Sequence, residues 1–91
     1  MRAAIKILFR DGVKDSQGTA VQQALGTLGF VGIEEVLVGK YITVKMDSDT
    51  EESRALVDEM CDRLLVNGVI EKYTIDYPEK DILWNFTLKE D

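Results

Sequence analysis

The order of two hydrophobic periodicities along the chain restricts its possible folds more than any other feature. In residues 3–9 the larger apolar side chains occupy every second position, which is the period of a β-strand with one buried face. A helical stripe follows, made of Ala20, Val21, Ala24, Leu25 and Leu28. Asp15 or Ser16 can cap this helix, and Gly29 can end it in the left-handed conformation.

Two β-rich segments come next, and very little sequence separates them. They comprise residues 33–38 and residues 41–46, with only Gly39 and Lys40 between them. Because glycine tolerates a positive φ, this spacing predicts a tight hairpin whose strands pair antiparallel.

A second helix and a further strand complete the pattern. Residues 48–50 offer caps, and Glu51 and Glu52 favour the positive end of the helix dipole. The apolar stripe of this helix consists of Leu56, Val57, Met60, Cys61, Leu64 and Leu65. The helix is predicted to stop at Gly68 by the left-handed route, and a strand is predicted over residues 69–77.

The resulting order, βαββαβ, predicts an α+β two-layer sandwich that is ferredoxin-like or closely related. Its antiparallel sheet is expected to carry two helices on one face. A chain of 91 residues supports a single core, so we expect one domain over residues 1–78 and a C-terminal extension over residues 79–91. Alternating apolar residues at 82–88 make an additional C-terminal strand one interpretation of that extension.

Charge and hydropathy exclude several classes of partner. The net charge is −6 and no segment gathers Lys and Arg into a patch, so nucleic acid is not expected to bind. No apolar run approaches the ~20 residues of a membrane span, and the N-terminus does not resemble a secretory signal, so we expect a cytoplasmic protein. A core this small contributes only about 3–5 kcal/mol, which favours self-association.

Residues suited to catalysis are scarce. The sequence has no histidine, the commonest general base near neutral pH. Cys61 falls on the apolar stripe of the second helix and is interpreted as a core residue. The acidic clusters lack the spacing of a calcium loop, and no glycine-rich phosphate loop is present. We therefore expect no metal, no cofactor and no catalytic residue in this chain.

Three motifs in the same order resemble the PurS family. Residues 12–18, GVKDSQG, followed by AV and AL at 20–21 and 24–25, are similar to the family pattern GVxDPQGxAVxxAL. Residues 38–41 resemble its RxGKxI hairpin, and residues 60–73 resemble MCxxLLxNxVIExY. Together the motifs cover residues 1 to about 77. Ser16 replaces the usual proline and Gly68 stands where relatives often have another residue, and both changes suit a cap or a turn.

The resemblance implies a role in de novo purine synthesis. PurS is the small subunit of phosphoribosylformylglycinamidine synthase, which converts formylglycinamide ribonucleotide to its amidine with glutamine and ATP. The implied subunit is not catalytic. It joins a glutaminase (PurQ-like) subunit to a synthetase (PurL-like) subunit, supports ammonia transfer between them, and forms a homodimer or tetramer. ATP and magnesium are expected in the complex and not in this subunit.

The motifs also suggest where partners contact the chain. The residues expected at an interface are Asp15, Gln17, Gly18, Gly39, Lys40, Asn67, Glu71 and Tyr73. Helix capping or packing explains each of them equally well, so both interpretations stay open. An ACT-like regulatory module that binds a small molecule is the alternative function, since fold alone does not separate it from a PurS subunit. A stand-alone enzyme is the least favoured hypothesis.

Overall fold

The computed structural model describes residues 1–78, which form three strands and two helices. In chain order these are β1 (Arg2–Phe9), α1 (Ser16–Thr27), β2 (Lys40–Lys45), α2 (Glu51–Met60) and β3 (Glu71–Asp76). A π-helical turn, Cys61–Leu65, continues α2. The predicted additional C-terminal strand at residues 82–88 lies outside the described residues.

The sheet is antiparallel, with β1 in the centre and the order β2-β1-β3. Ile5 lies opposite Ile42 of β2 on one side and opposite Ile75 of β3 on the other. Alternate residues of β1 point to the same face, and on that face Ile5 and Ile7 are at most 1% exposed. Their packing against α2 forms the core.

The packing of α2 follows its apolar stripe. Val57 and Cys61 are both 0% exposed and belong to the same buried cluster as Ile5 and Ile7. The helix begins as predicted, because the Thr50 hydroxyl accepts a hydrogen bond from the Ser53 N–H at 3.0 Å. Two-layer α+β architecture with an antiparallel sheet is thereby confirmed.

The end of α2 differs from the prediction. The Val66 N–H donates to the Cys61 carbonyl at 3.0 Å, which is the five-residue spacing of a π turn, and Val66 itself is extended. Gly68 does not adopt a positive φ. The predicted left-handed stop at Gly68 is therefore wrong, because the widened turn has already ended the helix two residues earlier.

The ends of α1 are as predicted. The Asp15 carboxylate caps the helix by accepting from the Gly18 N–H at 2.8 Å. At the other end Gly29 has φ +97°, and the Phe30 N–H reaches back to the Leu25 carbonyl at 3.1 Å. This pair of features is a Schellman ending, which requires a residue that tolerates the left-handed region.

The position of α1 within the single chain was not predicted. No residue of its apolar stripe is buried, and Leu28 is 74% exposed. Instead of lying on the sheet beside α2, the helix contacts residues 33–38. Gln22 Nε2 donates to the Ile33 carbonyl at 3.1 Å, and Gly18 contacts the Val36 carbonyl. We call residues 15–38 the arm.

The predicted hairpin is not formed. Residues 33–38 belong to no strand, and β2 pairs with β1 instead. Gly39 does not adopt a positive φ. Its lack of a side chain serves a different purpose, since a Cβ at this position would collide with the Ile7 carbonyl of β1. The chain therefore passes straight from the arm into β2.

Candidate functional site

The sheet register brings several of the predicted interface residues to one end of the molecule. Ile7 lies between Lys40 of β2 and Tyr73 of β3, and Phe9 lies opposite Glu71. Residues directly opposite one another in a ladder share a face, so Lys40, Glu71 and Tyr73 all lie on the face that α2 covers. The arm leaves the sheet at this same end.

An ion pair crosses β1 there. Lys40 Nζ lies 3.3 Å from Glu71 Oε2, although the two residues belong to strands on opposite sides of β1. The Lys40 side chain is 61% exposed, whereas that of Glu71 is only 8% exposed. A charge that is so nearly buried requires partners, and Lys40 supplies one of them.

The second partner of Glu71 is a backbone group. Glu71 Oε1 accepts a hydrogen bond from the Asn67 N–H at 2.8 Å. This bond, followed by the contact with Lys40, holds the pKa of Glu71 below its usual value. Asn67 in turn organises the loop before β3, because its side-chain oxygen accepts from the Val69 N–H at 3.1 Å.

A second carboxylate fastens the base of the arm. Asp15 Oδ1 accepts from the Gly18 N–H and Oδ2 accepts from the Val38 N–H, both at 2.8 Å. These bonds, that from Val38 foremost, lower the pKa of Asp15. We call this arrangement the Asp15 clamp. It joins the first turn of α1 to the last residues before β2.

Gly18 belongs to the clamp for a steric reason. It is the buried residue of α1, and a Cβ placed on it would meet the Val36 carbonyl and the Asp15 carboxylate. The helix can approach residues 33–38 this closely only without a side chain here.

Gln17 and Gly39 line a small cavity of about 80 Å³ at the junction between the arm and the sheet. Its wall also includes Lys40, Glu71 and Val38, with residues 7–9 of β1 behind them. The Gln17 side chain is exposed at the rim. This cavity therefore connects the Asp15 clamp to the Lys40–Glu71 pair.

A wider hollow of about 310 Å³ lies on the other side of the base of the arm. Its lining combines apolar residues such as Leu8 and Leu37 with charged ones, among them Asp11 and Lys72. Lys72 Nζ lies 3.3 Å from Asp11 Oδ1, so these two opposite charges largely offset one another. The hollow is open to solvent, and both side chains of this ion pair are exposed.

Tyr73 is 40% exposed and stands beside α2. Partial burial, with the negative charge of Asp58 nearby, raises the pKa of its phenol. The phenol therefore stays protonated near neutral pH and can donate a hydrogen bond. Tyr77, four residues further along the chain, also packs against the core.

Cys61 is fully buried and free, as expected for a core position. Burial raises the pKa of its thiol, which disfavours the reactive thiolate.

Within residues 1–78, no three His, Cys, Asp or Glu side chains are close enough together to hold a metal ion. Neither α1 nor α2 has the length and apolar character that a bilayer crossing requires.

Comparison with known proteins identifies the family. Residues 2–79 match the sequence profile of PurS, phosphoribosylformylglycinamidine (FGAM) synthase. The chain belongs to the PurS family. The PurS subunit of Synechocystis is 41% identical over 73 residues, which cover 79% of this chain and 73% of the relative. The PurS subunit of Bacillus subtilis is 33% identical over 78 residues, which cover 86% and 93% of the two chains.

Solved PurS structures share the fold. The PurS of Methanocaldococcus jannaschii, one of the subunits of formylglycinamide ribonucleotide amidotransferase, has a TM-score of 0.74 at 37% identity, covering 82% of this chain and 92% of that one. A PurLQS structure from Thermotoga maritima includes a chain with a TM-score of 0.73 at 26% identity, covering 82% and 93%. The expected role as a subunit of FGAM synthase in purine biosynthesis is thereby confirmed, and it takes precedence over the ACT-like alternative.

The three PurS motifs meet at one place in this structure. The first contains the Asp15 clamp, the second contributes Gly39 and Lys40, and the third contributes Asn67 and Glu71. All of them lie at the end of the sheet from which the arm leaves. In this chain the three motifs therefore meet where the arm joins the sheet.

Some of these contacts had a signal in the sequence and others had none. Glu71 stands in phase with Tyr73 and Ile75 on the core side of β3, and a charge in an apolar phase indicates a partner. Lys40 could not be chosen as that partner without the strand order. The contact between Gly18 and the Val36 carbonyl has no signal in periodicity, because residues 33–38 read as a strand.

Proposed function

We propose that this chain is a non-catalytic subunit that bridges the glutaminase and synthetase subunits of FGAM synthase and supports transfer of ammonia between them. The match to PurS over residues 2–79, together with a solved PurLQS assembly that includes a chain of the same fold, carries the proposal. The geometry agrees with it, because Asp15, Lys40 and Glu71 are engaged in holding the chain's own shape.

Bridging has a physical purpose in a reaction that consumes ammonia. Ammonia released into water is diluted and protonated, and the ammonium ion is no longer a nucleophile. Two active sites held in fixed register allow the molecule to pass between them without meeting bulk solvent. A subunit that supplies interface area and rigidity therefore raises the yield of the reaction without touching the substrate.

The eight motif residues divide into two groups at the proposed interface. Gln17, Lys40, Asn67 and Tyr73 are exposed and are available to contact a partner. The other four residues act through contacts within the chain. Asp15 and Gly18 form the clamp, Gly39 lies against β1, and Glu71 holds the ion pair with Lys40. Exchange of Gln17 is expected to weaken partner binding with little effect on the fold, whereas exchange of Lys40 also removes a partner of Glu71.

The remaining parts of the proposal concern the assembly as a whole. We propose that the chain forms a homodimer or tetramer, that ATP and magnesium are bound by the larger subunits, and that the complex acts in the cytoplasm. Residues 1–78 form the PurS domain in this proposal, and residues 79–91 are an extension. The match to the family profile, which ends at residue 79, supports that boundary.

Co-sedimentation of separately purified glutaminase and synthetase subunits tests the bridge. With this chain present, the two larger subunits are expected to move as one complex, and without it as separate species. Gln17→Ala should weaken the complex, whereas Gln23→Ala, an exposed glutamine further along α1, serves as the matched control. Complex formation that does not require the chain would reject the proposal.

A further inference from the structure

We propose that the sheet face opposite α2 is a second contact surface of the bridge and binds an acidic surface on one of the two larger subunits. The inference rests on the bridging role proposed above and specifies a partner surface for it. We call this side of the sheet the basic face. It consists of the even-numbered residues 2–8 of β1 with their ladder partners, which are 41, 43 and 45 in β2 and 72, 74 and 76 in β3.

Positive charge is concentrated on the basic face. Its cations are Arg2, Lys6, Lys45 and Lys72, and Asp76 is the one acid among its strand residues. The chain as a whole has a net charge of −6. No single segment of the sequence gathers these cations, because it is the register of three strands that brings them to one side. A surface whose charge is opposite to that of the molecule is suited to an acidic partner, since complementary potentials orient and speed association.

Two of these cations stand side by side in the ladder. Arg2 of β1 lies directly opposite Lys45 of β2, and like charges in that position repel each other. An exposed position in a sheet accepts uncharged residues such as threonine equally well. A local conflict of this kind indicates a role outside the fold, because proteins depart from local rules mainly at functional sites.

Acidic neighbours of the other two cations hold them only weakly. Lys6 Nζ lies 3.7 Å from Asp76 Oδ2, and Lys72 Nζ lies 3.3 Å from Asp11 Oδ1. All four side chains are more than half exposed, so water screens both pairs. Both lysines can therefore turn to the carboxylates of a partner.

The cations form a stripe and do not converge on one point. Lys72 lies opposite Leu8, six residues along β1 from Arg2, so the stripe is about 20 Å long at roughly 3.3 Å per residue. Arg2, Lys6 and Lys45 line neither of the two hollows described above. Small-molecule sites are concave, with a few polar groups directed to one place. A protein surface therefore fits the basic face better than a small anion does.

The basic face is separate from the surface formed by the motif residues. Lys40 and Tyr73 lie on the face that α2 covers, and Gln17 lies at the junction between the arm and the sheet. A chain that joins two different proteins needs two contact surfaces, one for each. The motif residues supply one of these surfaces and the basic face supplies the other.

Other macromolecules fit the basic face less well. Two basic faces repel each other when they meet, so a symmetric contact between copies of the chain does not use this surface. A nucleic acid backbone is repelled at longer range by the net charge of −6. An acidic protein surface that contacts only this side of the chain avoids both difficulties.

Charge reversal at Lys45 tests the surface. Lys45→Glu places a carboxylate opposite Arg2, so repulsion in the ladder becomes attraction and the midpoint of urea unfolding should not fall. With both larger subunits present, the concentration of chain needed for half-maximal assembly at low salt should rise about tenfold or more. Arg63→Glu makes the same change in charge in the turn after α2, where Arg63 is 76% exposed, and should alter that concentration by no more than about twofold. Equal effects of the two variants would overturn the proposal.

Lysine acetylation of the wild-type chain tests whether a partner covers the basic face. Lys6 and Lys45 are exposed, so they should react readily in the isolated chain and slowly in the assembled complex. Mass spectrometry measures both rates. Unchanged rates in the complex would overturn the proposal. Slow reaction in the isolated chain would also overturn it, because the chain or a second copy would then cover this face.

The outcomes separate this inference from the proposed bridge. If Lys45→Glu joins the larger subunits as well as the wild type does, the bridge stands and the basic face is not part of it. If the wild-type chain does not join them at all, both proposals fail. Sedimentation of Lys45→Glu alone should match the wild type, and weaker self-association would assign the face to a second copy. Binding of a DNA duplex by the wild type that Lys45→Glu abolishes would assign the face to nucleic acid, and either result would overturn the inference.

Discussion

Lys40 and Glu71 form an ion pair of 3.3 Å across the central strand, with the lysine largely exposed and the carboxylate largely buried. The pair joins the two outer strands at the end of the sheet where the arm departs. Because Glu71 also accepts from the Asn67 N–H, one carboxylate ties together β2, β3 and the loop before β3. The consequences are structural and measurable.

Truncation of Glu71 should destabilise the fold. Glu71→Ala removes the hydrogen bond from the Asn67 N–H and the ion pair with Lys40, and loss of a hydrogen bond to a charged group costs about 1.5–3 kcal/mol. Glu71→Gln keeps an acceptor oxygen and should cost less. Glu59 offers a control, since it pairs with Arg63 on the exposed surface of α2, and such a pair is worth about 0.5 kcal/mol or less. Urea unfolding measures all three, and equal losses for Glu71→Ala and Glu59→Ala would contradict the assignment.

Acid should weaken the fold through the same carboxylates. The pKa values of Asp15 and Glu71 lie below their ordinary values of 3.8 and 4.5 in the folded state. A group with a lowered pKa contributes stability that is fully present above its unfolded pKa and is lost as pH falls through the folded one. The free energy of unfolding should therefore be steady near neutral pH and fall as pH drops below about 4.5.

The double variant Asp15→Asn, Glu71→Gln isolates that contribution. Its unfolding free energy should be lower at neutral pH and should decline less steeply in acid than that of the wild type. Part of the slope should remain, because Arg54 also lowers the pKa of Asp49. If the unfolding free energy of the double variant fell with pH as steeply as that of the wild type, neither carboxylate would be responsible for the loss of stability in acid.

Two glycines of α1 should respond in opposite directions to alanine. Gly18→Ala places a Cβ against the Val36 carbonyl, whereas Gly26 has nothing within 4 Å of the corresponding position. Gly26→Ala should stabilise the protein by about 0.5–1 kcal/mol through helix propensity. Gly18→Ala should lose about 1–3 kcal/mol through the collision. Thermal unfolding compares the two, and stabilisation by both would mean that α1 does not lie against residues 33–38.

Cys61 should resist thiol reagents in the folded protein. It is fully buried, its pKa is raised by that burial, and the sequence contains no other cysteine to confuse the readout. Modification by a maleimide should be slower by about a hundredfold or more in buffer than in urea, since it requires opening of the core. Mass spectrometry follows the reaction. A native rate equal to that in urea would place the thiol at the surface.

Local signals in the sequence predicted the elements better than their arrangement. The alternation around Ile5 located β1, and Gly29 marked the end of α1, because each depends on a few neighbouring residues. The hairpin at Gly39 was wrong for the opposite reason. Residues 33–38 have the composition of a strand, but no strand of the described chain pairs with them. Periodicity reports that a segment suits a sheet and does not report where its partner is.

The candidate site shows the same limit. Its three motifs could be located in the sequence, but that they meet at one end of the sheet depends on the central position of β1. The contact of Gly39 with Ile7 and the pairing of Lys40 with Glu71 are both consequences of that strand order. Tertiary contacts of this kind are invisible to a reading of one segment at a time.

The nitrogen donor offers the most direct test of the bridging role. Amidine formation by the glutaminase and synthetase subunits should be measured with and without this chain, first with glutamine and then with a high concentration of ammonium. The account predicts that the chain is required with glutamine and dispensable with ammonium, because only glutamine nitrogen must travel between two active sites. Equal rates with and without the chain for both donors would contradict it.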